Sequence, residues 1–155
     1  MLKYTAMPTE HAQSYRSGGE DALGNTPERS VSDGGGNPCR HCLTDIPKGA
    51  GMLILSYKPF KGSHPYTEIG PIFLCTDTCE TGTHTDSPEI LTTSPDYLLK
   101  GYCTRDRIVY GTGQITPAQD IPHIAAKILS DPAVAYVHVR SARNNCYQLR
   151  IDRDA

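Results

Sequence analysis

Four cysteines constrain most strongly what this chain can fold into. They stand in two close pairs, Cys39/Cys42 and Cys75/Cys79, in a stretch that opens with Asn37-Pro-Cys-Arg-His-Cys-Leu43 and closes with Gly70-Pro-Ile-Phe-Leu-Cys-Thr-Asp-Thr-Cys79. Between the pairs lies the densest apolar run, Met52 to Tyr57, flanked by Gly51 and Pro59, which suits a strand covered on both faces. Ile72 to Cys75 reads as a second buried strand. A hairpin of these two strands would return the second cysteine pair to the first.

A C-x2-C turn offers two thiolates on one side, and a second close pair can complete a tetrahedron of soft ligands. Cys39, Cys42, Cys75 and Cys79 are therefore candidate zinc ligands, with His41, His64 and His84 as substitutes in the shell. The second pair is spaced C-x3-C, and neither pair carries the glycine common in zinc ribbons. Two other readings stand beside the metal. Free cysteine is a small residue that is often buried. Arg40 and His41, set between two thiols, would also lower a thiolate pKa and favour thiol chemistry. Against that, Leu43 to Pro47 is a poor helix start for a thioredoxin-type motif.

The other segments place that stretch in a fold. A chain of 155 residues with 14 Gly and 12 Pro fits one domain, 1–155, rich in turns and with more strand than helix. Leu2 to Ala6 reads as a strand, followed by a short helix that opens at Pro8 and ends at Gly18-Gly19. Residues 18–37 form an irregular Gly-rich connection within the domain. Asp96 to Cys103 and Arg107 to Tyr110 flank a short polar tip, a hairpin signal.

The clearest helix spans about 120–130, with Asp120 as N-cap, Pro122 in the first turn, and Ile121, Ile124, Ala125, Ile128 and Leu129 on one face. Ala133 to Arg140 and Cys146 to Asp152 alternate, and the five-residue loop between them allows an antiparallel hairpin. The expected class is α+β: a mostly antiparallel sheet of about five to seven strands with one principal helix packed on it.

If Arg140 lies opposite Cys146, that hairpin puts Ala135, Val137, Val139, Tyr147, Leu149 and Ile151 on the core face. The other face then carries Tyr136, His138 and Arg140 facing Cys146, Gln148 and Arg150. His138, Arg140 and Arg143 are candidate catalytic residues, since guanidinium groups grip carboxylate or phosphate and imidazole titrates near neutral pH. The plainer reading is a solvated face, with Arg140 and Arg150 paired to Glu68, Glu89 or Asp152. Tyr66, Glu68 and Tyr136 are candidate ligand-binding residues. The first two lie in a Pro- and aromatic-rich loop that could line a pocket or close over the core.

Formal net charge is −2 with scattered cations, which gives no electrostatic footprint for nucleic acid. The amino terminus lacks the apolar core of a secretory signal, and no apolar run approaches the ~18 residues that cross a bilayer. The expectation is a cytoplasmic protein without a membrane partner, whose cysteines stay free of disulfides. No phosphate-binding Gly loop, Ser/His/Asp ordering or dinucleotide fingerprint is present. The sequence selects no oligomeric state.

Five segments together resemble a bacterial family, domain of unknown function 1203: Asp21 to Glu28, Pro38 to Leu43, Pro65 to Phe73, Arg107 to Gly113 and Ala135 to Tyr147. The resemblance implies that residues 20–37 belong to the domain, and it implies no activity. Relatives often carry His where this chain has Cys75, and both residue types ligate zinc. Others lack the cysteines near Cys42 and Cys79, so the resemblance implies at most a metal confined to a branch.

The functional expectation is a metal (zinc) or small-ligand binding protein with its site in the Cys39–Cys79 region. The alternatives are a small enzyme using His138 with Arg140 and Arg143 on an anionic substrate, or an interaction module with no chemistry.

Overall fold

The apolar runs become eight strands in two antiparallel sheets in the computed structural model, which describes residues 1–154. The order of elements is β1 (Leu2–Thr5), α1 (Thr9–Arg16), β2 (Glu28–Val31), β3 (Gly51–Tyr57), β4 (Gly70–Cys75), β5 (Asp96–Tyr102), β6 (Gln114–Pro117), α2 (Ile121–Leu129), β7 (Tyr136–Ser141) and β8 (Tyr147–Arg153). The larger sheet runs β1-β8-β7-β5-β6 and the smaller β2-β3-β4. This is the expected α+β arrangement with one main helix, its strands divided between two layers.

Helix α2 forms where the 3.6-residue periodicity placed it. Ile121, Ala125, Ile128 and Leu129 are buried with Val137, Val139, Leu149 and Ile151 in one core cluster. Each such aliphatic side chain contributes about 1.5–3 kcal/mol by leaving water. Gly101 of β5 lets the helix approach, since a Cβ there would stand 3.0 Å from the Ile128 side chain. Asp120 does not cap α2 through its side chain. The three residues Ala118–Asp120 form a 3-10 turn that runs directly into the helix, leaving no extended N-cap position.

The second core belongs to the smaller sheet. Leu53, Leu55, Ile72 and Leu74 pack with Cys39, Ile46 and Ala12 of α1, and with Tyr147 from the larger sheet. Within 18–37, Glu28–Val31 pairs with β3 as an edge strand. The Asp21 carboxylate accepts N–H bonds from Leu23, Asn25 and Ser56, which fastens this connection to β3.

Two expectations of register are corrected. The expected hairpin of 96–103 with 107–110 forms only near its tip, where Tyr102 bridges Ile108 and Val109 N–H donates to the Gly101 carbonyl, while Asp96–Leu99 pair with Gln114–Pro117 instead. The tip closes as expected, with Cys103 donating to the Arg107 carbonyl, but the Gly101 N–H is taken by the Thr112 hydroxyl and the chain turns at Gly111 before pairing resumes. In the β7–β8 hairpin Val139 pairs with Leu149 and Arg140 with Tyr147, because a bulge falls between Val139 and Arg140. Parity survives for Val137, Val139, Leu149 and Ile151, while Tyr147 moves to the His138 side and Ala135, just before β7 begins, packs with Phe60, Tyr102 and Tyr136 instead. Among the described residues no helix is long and apolar enough to cross a membrane.

Candidate metal centre

The β3–β4 hairpin brings Cys75, at the end of β4, back against the turn that carries Cys39 and Cys42. Cys79 follows four residues later. One Sγ from each of the four cysteines lies within 4.8 Å of all the others, and Cys39–Cys79 and Cys42–Cys75 stand 3.9 Å apart. A tetrahedral zinc with Zn–S near 2.3 Å requires sulfurs about 3.8 Å apart. The thiols are not disulfide-bonded. The cluster is thus at ligand spacing, and its donor chemistry fits a thiophilic ion.

Local backbone geometry explains why a C-x2-C turn without glycine forms here. Leu43 adopts φ 59°, the left-handed conformation that glycine would supply, at a cost of about 1–3 kcal/mol. Its side chain offsets that cost by full burial beside Tyr4, Ile90 and Leu91. The turn closes through Leu43 N–H to the Cys39 carbonyl and Cys39 N–H to the Thr44 carbonyl. No helix follows the motif, so the setting that activates thioredoxin-type pairs is absent from this turn.

Hydrogen-bond partners surround the sulfurs. Cys75 N–H points at Cys39 Sγ (3.3 Å), Arg16 Nη2 at Cys79 Sγ (3.0 Å), and His41 Nδ1 lies 3.2 Å from Cys79 Sγ. Thr44 Oγ1 stands 3.2 Å from Cys42 Sγ. Donors aimed at sulfur favour the thiolate form that binds metal. The thiols also perturb one another. A bond with Cys42 pushes Cys39 up, but bonds with Cys75 and Cys79 outweigh it and pull Cys39 down to about 6. Cys42 is lowered chiefly by Cys39, whereas Cys75 and Cys79 are raised. Crowded thiols release their first protons easily and hold the last, a conflict that a shared cation removes.

His41 is placed beside the cluster as a hydrogen-bond partner, its Nε2 2.9 Å from Thr9 Oγ1 at the start of α1. His84 pairs through its backbone with Tyr4, and the His64 ring packs on Phe60. The metal-spaced group holds cysteines alone among the described residues. Arg40 turns away from the sulfurs. Its Nε donates to the Tyr147 carbonyl and its Nη1 to the Pro38 carbonyl, both at 2.7 Å. Sequence reasoning missed Arg16 entirely, since 59 residues separate it from Cys75, whose carbonyl it also binds.

The candidates on the β7–β8 face and in the loop after β3 each meet partners within the protein. His138 is 1 % exposed and enclosed by the rings of Phe60, Tyr102, Tyr136 and Tyr147, with centroids 4.8–5.0 Å away. Burial first, then the charges of Arg140, Arg150 and Lys100, hold its pKa well below the ordinary value, so it is neutral at pH 7. Glu68 bonds Lys100 and Tyr102 and forms an ion pair with Arg140. In that pair Arg140 Nη2 is 3.2 Å from Glu68 Oε2, yet it is off the axis of a proper hydrogen bond. Arg143 is exposed and pairs with Asp96. Tyr66 meets Tyr110 hydroxyl to hydroxyl, and Tyr136 donates to Asp106. Of the face read as solvated, Tyr136, His138, Arg140 and Gln148 are buried, with Phe60 from the loop after β3 packed over it, whereas Arg150 stays partly exposed; the expected pairs Arg140–Glu68 and Arg150–Asp152 both form.

No curated protein and no solved structure matches the chain. A family profile described as protein of unknown function (DUF1203) matches residues 36–153, which include all four clustered cysteines. With the match covering most of its length, the chain belongs to the DUF1203 family.

Proposed function

We propose that this is a zinc-binding protein in which Cys39, Cys42, Cys75 and Cys79 hold one ion in a closed, structural site. The observation that carries the reading is the spacing of the four sulfurs, all within 4.8 Å of one another. Four thiolates fill a tetrahedral shell and leave no position for an activated water, so the ion would serve the fold. It would tie the Cys39–Cys42 turn to the end of β4, and the binding free energy would add to folding free energy. The reading calls for a reducing compartment such as the cytoplasm, where the thiols remain free.

Elemental analysis of the purified protein, coupled to thiol titration before and after chelation, tests it. The expected result is about one zinc per chain, with four thiols unmasked when it is removed and Tm lowered by about 10 °C or more. Metal-free protein in which all six cysteines titrate only on unfolding would overturn the site. Stoichiometric iron would keep the site and overturn zinc.

A further inference from the structure

A cavity of about 840 Å³ opens where the two sheets meet, distant in role from the sulfur cluster. Its volume falls in the range of small-molecule sites, roughly 300–1,000 Å³. Tyr57 of the smaller sheet, Tyr136 and Tyr147 of the larger, and Phe60 from the loop after β3 supply its aromatic wall. Tyr57 and Tyr147 stand 6.1 Å apart, and the Arg150 guanidinium stacks 4.0 Å from the centre of the Tyr136 ring. The bulge at Val139/Arg140 turns Tyr147 into this wall. These rings come from elements far apart in the chain, and the hydrogen bond from Arg40 to the Tyr147 carbonyl fixes one of them in place.

Charge around the cavity is not evenly satisfied. The acids Asp21, Asp106 and Asp152 already accept hydrogen bonds: Asp21 from backbone N–H groups, Asp106 from Tyr136, and Asp152 from Thr5 and Arg150. Arg153 gives its donors to the carbonyls of Leu129, Asp131 and Val134. Arg150 and Asp152 pair with each other, which leaves Lys3, Lys58, Lys61 and Arg153 against Glu20, Asp21 and Asp106, an excess of one positive charge. With Asp21, Asp106 and Arg153 engaged in hydrogen bonds within the protein, the charged groups left to meet a ligand are the three lysines and Glu20. An aromatic wall under a lysine-rich rim suits a ligand with a planar apolar body and a negative group: stacking and burial hold the body, and the lysines hold the charge.

We propose that this cavity is a binding site for a small anionic molecule with an aromatic or comparably flat apolar body. The site is independent of the cysteine cluster, and either can fail without the other.

The test is fluorescence titration of the metal-replete chain with 8-anilinonaphthalene-1-sulfonate, beside its uncharged parent N-phenyl-1-naphthylamine. Two variants accompany it. Lys58→Glu combined with Lys61→Glu reverses the rim charge. Ala22→Trp, at an exposed lining position, narrows the mouth. The expected result is saturation at about one sulfonate per folded chain, weakened about tenfold by the charge reversal while the neutral probe changes less than about twofold. Ala22→Trp should weaken both probes. Binding that does not saturate, or that is indifferent to Ala22→Trp, overturns the cavity as the site. Saturable binding unchanged by the charge reversal overturns the anionic ligand.

Discussion

Arg40 Nε donates to the carbonyl of Tyr147 at 2.7 Å across 107 residues of chain. Arg40 sits between two cysteines in sequence, yet its side chain is 3 % exposed and buried in the seam between the sheets. Burial lowers its pKa to about 10, which leaves it charged at neutral pH. One residue thus joins the turn that presents Cys39 and Cys42 to the strand that forms the cavity wall.

Arg40→Met keeps most of the volume and removes the donors. The carbonyls of Pro38 and Tyr147 would then lie without these partners, at a cost of about 2–4 kcal/mol. Urea denaturation of the metal-replete protein at pH 7 measures this. A loss smaller than about 1 kcal/mol would mean that the buried guanidinium costs nearly as much to desolvate as its bonds return.

Arg16 acts on the other side of the cluster, where its Nη2 reaches Cys79 Sγ and its Nε the Cys75 carbonyl. Groups that donate to ligand sulfur stabilise the thiolate, and their removal typically costs 10–100-fold in metal affinity. Arg16→Ala should therefore release zinc to a competing chelator at a concentration about tenfold lower than wild type needs, with a circular dichroism spectrum like that of wild type. Equal release curves would show Arg16 to be a packing residue only.

The cysteine cluster was legible because its information is local: two spacings of three and four residues, set on either side of two apolar runs. Helix α2 was legible for the same reason, since a 3.6-residue period is written in nine consecutive positions. The fate of the His138 face was not. Alternation says which residues share a side, but a single extra residue in β8, Gln148 between the partners of Val139 and Arg140, decided where Tyr147 points, and Phe60, 78 residues before His138, decided that the side is covered. Glu68 was picked out as an acid of interest and does meet Arg140, whereas Arg143, three residues further along, ends beside Asp96.

Gly82 marks where the segment after Cys79 crosses the cysteine turn. Its N–H donates to the His41 carbonyl, and a Cβ would stand 2.3 Å from the Cys42 carbonyl oxygen. That neighbour is backbone held by the turn and cannot swing aside. Gly82→Ala should cost about 2 kcal/mol or more and loosen zinc, whereas Gly62→Ala, which meets nothing within 4 Å, serves as the control. Equal melting temperatures for the two variants would contradict the crossing.

His138 gives the chain a pH dependence whose sign follows from its enclosure. The folded protein holds it neutral, with a pKa well below 6.5, because burial and the charges of Arg140, Arg150 and Lys100 all oppose a proton; the rings of Phe60, Tyr102, Tyr136 and Tyr147 complete its surroundings. The unfolded chain takes up that proton first as pH falls. Stability from this group is therefore whole above pH 6.5 and lost below it, by about 1.4 kcal/mol per pH unit once the unfolded histidine is protonated. His138→Phe fits among the four rings and removes the titration. The stability difference between wild type and this variant, from paired urea denaturations, should shift against wild type by about 1.5 kcal/mol between pH 6.5 and pH 5. Other titrating groups, His41 included, cancel in that difference. A constant difference across the range would place a proton, or an unseen acceptor for one, on His138 in the folded state.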